Sequence, residues 1–182
     1  MSPNQREEQK KKVIEVLNTA RAMELNAIHQ YMNQHYNLAD MDYGELAANL
    51  KLIAIDEMRH AEKFAERVKE LGGEPGSEPS SKTEKGQKVD IVFSFDADLE
   101  DNAINVYNQF IIVCRENGDS TSIKLFETII DEEQEHFNYF DNVDKHIQQL
   151  GPAYLARIAG TPADTGAPSK GFITGPGAGT GV

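Results

Sequence analysis

A chain of 182 residues with 39% hydrophobic and 26% charged side chains has the composition of one soluble domain with a sizeable core. Its net charge of −12 argues against a nucleic-acid surface built on clustered Lys and Arg; it would attract small cations, or simply keep the protein soluble, and charge alone does not choose. The single cysteine, Cys114, excludes an intrachain disulfide, a CxxC zinc site or an iron–sulfur cage within one copy, and suits a reducing compartment.

In chain order, the N-terminus MSPNQREEQKKK is charged and lacks the apolar run of a signal peptide. No stretch is long and apolar enough to span a bilayer, so a cytoplasmic protein with no membrane partner is expected. Helical periodicity runs from about Asn4 to Asn37, and again from Asp42 to Leu71 after a short break near Asp40. A Gly/Ser/Pro-rich connector covers Gly72 to Lys88. A third helix spans about Val89 to Glu116, and a fourth Ser120 to Leu150 beyond the turn Asn117-Gly118-Asp119. Gly151-Pro152 and Gly160 bracket a short fifth helix over Ala153 to Ala159. Residues 161–182 read as a Gly/Pro/Ser/Thr-rich mobile tail behind a 1–160 domain.

Loop length implies topology. The two short turns make antiparallel hairpins, and the long connector crosses the bundle so that the second and third helices run parallel. The fold class is all-α, a four-helix bundle with a long crossover between its second and third helices and a short C-terminal fifth helix.

The chain also repeats itself. Glu24-Leu-Asn-Ala27-Ile28-His-Gln-Tyr31 and Glu100-Asp-Asn-Ala103-Ile104-Asn-Val-Tyr107 share the pattern E-x-N-A-I-x-x-Y. Glu57-Met-Arg-His60, followed by Phe64, matches Glu133-Gln-Glu-His136, followed by Phe140. The spacing agrees, since 57 − 24 = 33 and 133 − 100 = 33. Residues equidistant from a hairpin turn face each other, here about 25 Å from it at 1.5 Å per residue.

All six polar residues fall inside apolar stripes of three- and four-residue steps. Val13, Leu17, Ala20, Glu24, Ala27 and Tyr31 form the first stripe, and Leu46, Leu50, Ile53, Glu57, His60, Phe64 and Leu71 the second. The third is Phe93, Glu100, Ala103, Tyr107, Phe110 and Cys114; the fourth runs from Ser122 through Phe126, Ile129, Glu133, His136 and Phe140 to Leu150. Four buried carboxylates need compensation. The stripes hold no Lys or Arg, and protonation raises one or two pKa values rather than four. Two divalent cations supply +4 against −4, with two neutral imidazoles completing the ligand shells. Tyr31 and Tyr107 are then aromatic core filler or hydrogen-bond donors behind the site, the latter slightly favoured because a buried phenol needs a partner. His29, His35 and His146 read as surface or interface residues, and Cys114 as a small core residue.

This ligand pattern resembles the di-iron carboxylate sites of the ferritin-like superfamily. The resemblance implies that Glu57 and Glu133 bridge two metals, that Glu24 and His60 complete one, and that Glu100 and His136 complete the other. Carboxylates with one imidazole per metal suit iron or manganese.

The runs Met-Glu24-Leu-x-Ala-Ile-x-Gln-Tyr31 and Asp56-Glu57-Met58-Arg59-His60-Ala61 resemble the bacterioferritin family over about residues 10–160. Met58 points about 100° away from the site face. It shares an apolar patch with Leu25, Ile28, Met32 and Ile55, a composition typical of interfaces, and taken alone reads as ordinary contact packing. By the resemblance, Met58 is an axial haem ligand, one haem being shared by a two-fold-related subunit pair. The implied assembly is a 24-mer built from dimers. It oxidises Fe(II) with dioxygen or hydrogen peroxide at a ferroxidase site of two non-haem irons per subunit, and stores Fe(III) mineral inside. Haem then passes electrons, from a ferredoxin- or rubredoxin-type donor, for mineral release. Some relatives carry an inner-surface histidine iron ligand where this chain has Leu52, which puts an inner iron site in doubt. The competing reading is a di-iron redox enzyme, a peroxidase or oxygenase component. Its rubrerythrin-type form carries a Cys-rich domain that one cysteine does not allow.

Overall fold

The computed structural model describes residues 3–164 and residue 172. Five helices follow one another: α1 (Pro3–Asp40), α2 (Gly44–Glu70), α3 (Val89–Glu116), α4 (Ser120–Leu150) and α5 (Pro152–Ile158). No strand is present among the described residues beyond an isolated bridge between Tyr43 and Thr161. No helix among them is long and apolar enough to cross a membrane.

The helix ends have local causes. Asp42 sits at φ 66°, a left-handed conformation that cannot continue a helix, so α2 begins at Gly44 rather than at Asp42. Gly44 is required by close approach, because a Cβ there would lie 1.9 Å from the Thr161 carbonyl. Asp119 caps α4 by accepting from the Thr121 and Ser122 N–H groups, and Arg67 of α2 grips both its carboxylate oxygens at 2.8 Å. Pro152 occupies the first turn of α5, where its missing N–H is no loss.

The connector crosses the bundle alongside α1. Asn18 binds the Glu74 carbonyl and the Gly76 N–H, the Ser80 N–H reaches the Ala22 carbonyl, and Gln30 pairs with the Glu84 backbone. Gln34 then binds Gln87 at 2.8 Å. Both numbers rise together, so the connector runs with α1 and returns the chain about 24 Å at 1.5 Å per residue. Consequently α3 lies antiparallel to α1 and parallel to α2, as loop length implied.

The stripes face inward except at the far end, where Leu150 is exposed. The core has two lobes. One gathers Tyr31, Leu46, Ile53, Phe93 and Phe140 toward the α1–α2 turn; the other gathers Val13, Phe64, Tyr107, Phe126 and Ile129 at the opposite end. The six polar residues form a layer between them. Of the tail, only Thr161–Asp164 and Phe172 belong to the described residues, and several of those are anchored. The Thr161 hydroxyl accepts from the Glu45 N–H at 2.8 Å, and Phe172 is buried with its N–H on the Leu52 carbonyl at 3.2 Å. The rest of the expected mobile tail lies outside the described residues.

Candidate metal centre

Each hairpin delivers one carboxylate from its first helix and a Glu-x-x-His pair, one turn apart on a single face, from its second. The bundle brings all six together, every one of them buried. Their ligand atoms form two overlapping groups, each within 4.8 Å: Glu24, Glu57, His60 and Glu133, and Glu57, Glu100, Glu133 and His136. Glu57 and Glu133 belong to both.

The imidazoles turn Nδ1 inward. His60 Nδ1 lies 3.1 Å from both Glu57 Oε2 and Glu133 Oε1, and His136 Nδ1 lies 3.1 Å from Glu133 Oε2. Glu57 Oε1 stands 3.0 Å from His136 Nδ1 but outside hydrogen-bond alignment, a buried oxygen with no donor aimed at it. Such an oxygen suits a cation.

Tyrosines brace the outer carboxylates crosswise. Tyr31 of α1 donates to Glu100 of α3, and Tyr107 of α3 donates to Glu24 of α1, each at 2.5 Å. Burial and the adjacent carboxylates push both phenols well above the usual tyrosine range, so they remain donors. This is the place behind the site that the sequence assigned to them.

Without ions, the electrostatics of the cluster follow from burial and from which carboxylate faces each imidazole. Burial, reinforced by Glu133 and Glu57, lifts the Glu24 and Glu100 carboxyls well above the ordinary glutamate range. Burial disfavours charge on His60 and His136, yet Glu133 beside the first and Glu57 beside the second raise both imidazoles well above the usual histidine value. Glu57 and Glu133 are lowered, because the imidazolium partners outweigh burial. These shifts all act to reduce the net negative charge buried in the cluster when no ion is bound. Two dications would offset the four carboxylates and displace the protons held there, and carboxylate and imidazole donors fit them.

Sequence reasoning missed the groups on the far side of each imidazole. His60 Nε2 meets Glu132 Oε2 at 2.7 Å, and Lys63 backs Glu132 at 3.2 Å. His136 Nε2 lies 3.7 Å from Asp56 Oδ2, beyond hydrogen-bond reach, while Arg59 holds Asp56 Oδ1 at 2.7 Å. A signal existed: Asp56 and Glu132 are repeat partners, 132 − 56 = 76, the offset of the clustered residues themselves (133 − 57 = 76). Also missed was Asp96, one turn before Glu100, which is buried and accepts from Gln34 at 2.7 Å.

Other expectations divide. His35 is not a surface residue; it is buried, Nδ1 2.7 Å from the Ala47 carbonyl, because the α1–α2 hairpin closes tightly near its turn. His29 and His146 are exposed. Cys114 is fully buried, and burial pushes its thiol up to about 12. Met58 lies outside the cluster, 52% exposed, with Leu25, Ile28, Met32 and Ile55 half-buried beside it. Leu52 is buried beneath Phe172. A cavity of about 390 Å³ opens between α1 and α3, reaching Glu24 and Glu100, with Ser80 and Ser81 of the connector in its lining.

Comparison with known proteins places these features. The ferritin-like domain family matches residues 14–150. The bacterioferritin of Desulfovibrio desulfuricans is 64% identical over 169 residues, covering 93% of this chain and 94% of that protein. An X-ray structure of that bacterioferritin, described as capturing its diiron site in different catalytic states, superposes with a TM-score of 0.89, covering 92% of this chain and 98% of that chain. The bacterioferritin BfrA of Mycobacterium tuberculosis superposes with a TM-score of 0.77 at 31% identity, covering 87% and 96%.

Proposed function

Because the chain belongs to the bacterioferritins of the ferritin-like family, we propose that it is an iron-storage protein with ferroxidase activity. The observation that carries this reading is the pair of overlapping ligand groups sharing Glu57 and Glu133 in the bundle core. In this reading Glu24 and His60 complete one position, and Glu100 and His136 the other. When bound, a pair of Fe(II) ions supplies the electrons that reduce dioxygen or hydrogen peroxide.

The chain's own contribution is proton exchange and orientation. As the cations arrive, Nδ1 of His60 and of His136 and the carboxyls of Glu24 and Glu100 give up protons. Tyr31 and Tyr107 keep Glu100 and Glu24 aimed inward. Glu132 fixes the His60 tautomer by accepting from Nε2, leaving Nδ1 free to ligate. The two apolar lobes exclude water on either side, which strengthens each charge interaction.

Met58 is the proposed haem ligand. An exposed thioether on an apolar patch fits a flat porphyrin clasped between two copies of this face. The remaining parts of the reading are a 24-subunit hollow shell in the cytoplasm, supplied with electrons by a ferredoxin- or rubredoxin-type donor.

Anaerobic titration of the assembled protein with Fe(II), followed by dioxygen, tests this reading. Two irons per chain bind and oxidise in the wild type, whereas Glu57→Ala and Glu133→Ala lose both and Glu24→Ala loses one. A haem absorption band vanishes in Met58→Ala. A monomer or dimer by light scattering would overturn storage, and turnover of an organic substrate without iron deposition would point to a redox enzyme instead.

A further inference from the structure

The two inward-facing imidazoles are secured unequally on their far sides, and the weaker one meets a residue from beyond the bundle. His60 Nε2 is held by Glu132 at 2.7 Å. His136 Nε2 is buried without a hydrogen bond, Asp56 Oδ2 lying 3.7 Å away, within ion-pair range but beyond hydrogen-bond reach. Against that ring stands Phe172, 8% exposed, its centroid 6.1 Å from that of His136 with the rings at 68°. Phe172 is fixed at two further points. Its N–H donates to the Leu52 carbonyl at 3.2 Å, and its ring lies 5.2 Å from that of Tyr139, whose hydroxyl accepts from Asn49 at 3.1 Å.

We propose that Phe172 is a positioning residue for the metal position formed by Glu57, Glu100, Glu133 and His136. An edge-on aromatic contact is directional and excludes water, so it can steady an imidazole whose far nitrogen, Nε2, no hydrogen bond holds. Phe172 keeps His136 Nδ1 turned toward Glu57 and Glu133 and walls off the α2–α4 side of the centre. It thereby slows exchange of the ion at this position, while the His60 position depends on Glu132 and is indifferent to Phe172. The proposal rests on the reading above that the six residues hold two metals.

The test loads metal-free, assembled full-length protein with two Co(II) per chain and follows their visible absorption during a chelator chase. In Phe172→Ala one Co(II) per chain should leave roughly tenfold faster, and the other at the wild-type rate. Phe172→Leu, which keeps apolar bulk, should restore most of the difference. In the Glu100→Ala background, where only the His60 position remains, Phe172→Ala should change nothing. Equal acceleration of both ions, or of neither, overturns the proposal while leaving the metal centre standing. Wild-type protein that takes up no Co(II) overturns the metal-centre reading, and this proposal with it.

Discussion

Shifted by 76 residues, the α1–α2 hairpin maps onto the α3–α4 hairpin: Glu24 onto Glu100, Tyr31 onto Tyr107, Glu57 onto Glu133 and His60 onto His136. The inner layer obeys that symmetry closely, with crosswise tyrosine donors and two shared carboxylates. The outer layer does not. Glu132 reaches His60 at 2.7 Å, whereas its counterpart Asp56, one methylene shorter and drawn to Arg59, stays 3.7 Å from His136. Lys63 supports Glu132, but the matching position 139 is a tyrosine that packs against Phe172. The lesson is that a duplicated pattern can give two similar ligand sets with different mechanical support. On the proposed reading, exchange rates should then differ where the ligand types agree.

The largest expected effect comes from what the halves share. Glu24, Glu100, His60 and His136 all have pKa values raised by folding, so the native state holds protons that the unfolded chain releases. That stability is present below the unfolded values and declines as pH climbs toward the folded ones. Metal-free protein should therefore lose thermal stability as pH rises above 4.5, where the unfolded glutamates ionise, and further above 6.5, where the unfolded histidines lose their protons, by a Tm change on the order of 10 °C. Protein carrying two divalent cations should show no such slope. A flat profile for the metal-free protein in calorimetry would mean that the four protons are not where the geometry puts them.

Next comes the outer layer. Glu132→Asp should withdraw the carboxylate from His60 and weaken one of the two metal positions about tenfold, making the halves alike. Asp56→Glu should do the reverse at His136. Isothermal titration resolves both, and an unaltered pair of affinities in Glu132→Asp would erase the claimed difference in support.

The smallest effect probes the symmetric braces. Tyr31→Phe and Tyr107→Phe each strip a buried carboxyl of its donor and should cost about 1–2 kcal/mol in chemical denaturation. The two values should agree closely. A wide gap between them would show that the asymmetry extends into the inner layer.

The fold was legible because its signals are local. Three- and four-residue stripes marked the helices, the Gly72–Lys88 length implied the crossover, and the equal 33-residue spacings set the ligand register. Even the helix starts were nearly right, missing chiefly the left-handed Asp42 that delays α2 to Gly44. The sequence by itself therefore determined which six residues converge, because a helix converts spacing into direction and a hairpin converts spacing into opposition. Only the tertiary structure decided how their charge is balanced, since an imidazole's proton affinity depends on which carboxylate stands 3 Å away rather than on its neighbours in the chain. It alone revealed that Glu132 reaches and Asp56 does not, that His35 is buried, and that Phe172 returns to cover His136. Those contacts turn on the reach of one methylene and on long-range chain return, and neither leaves a period in the sequence.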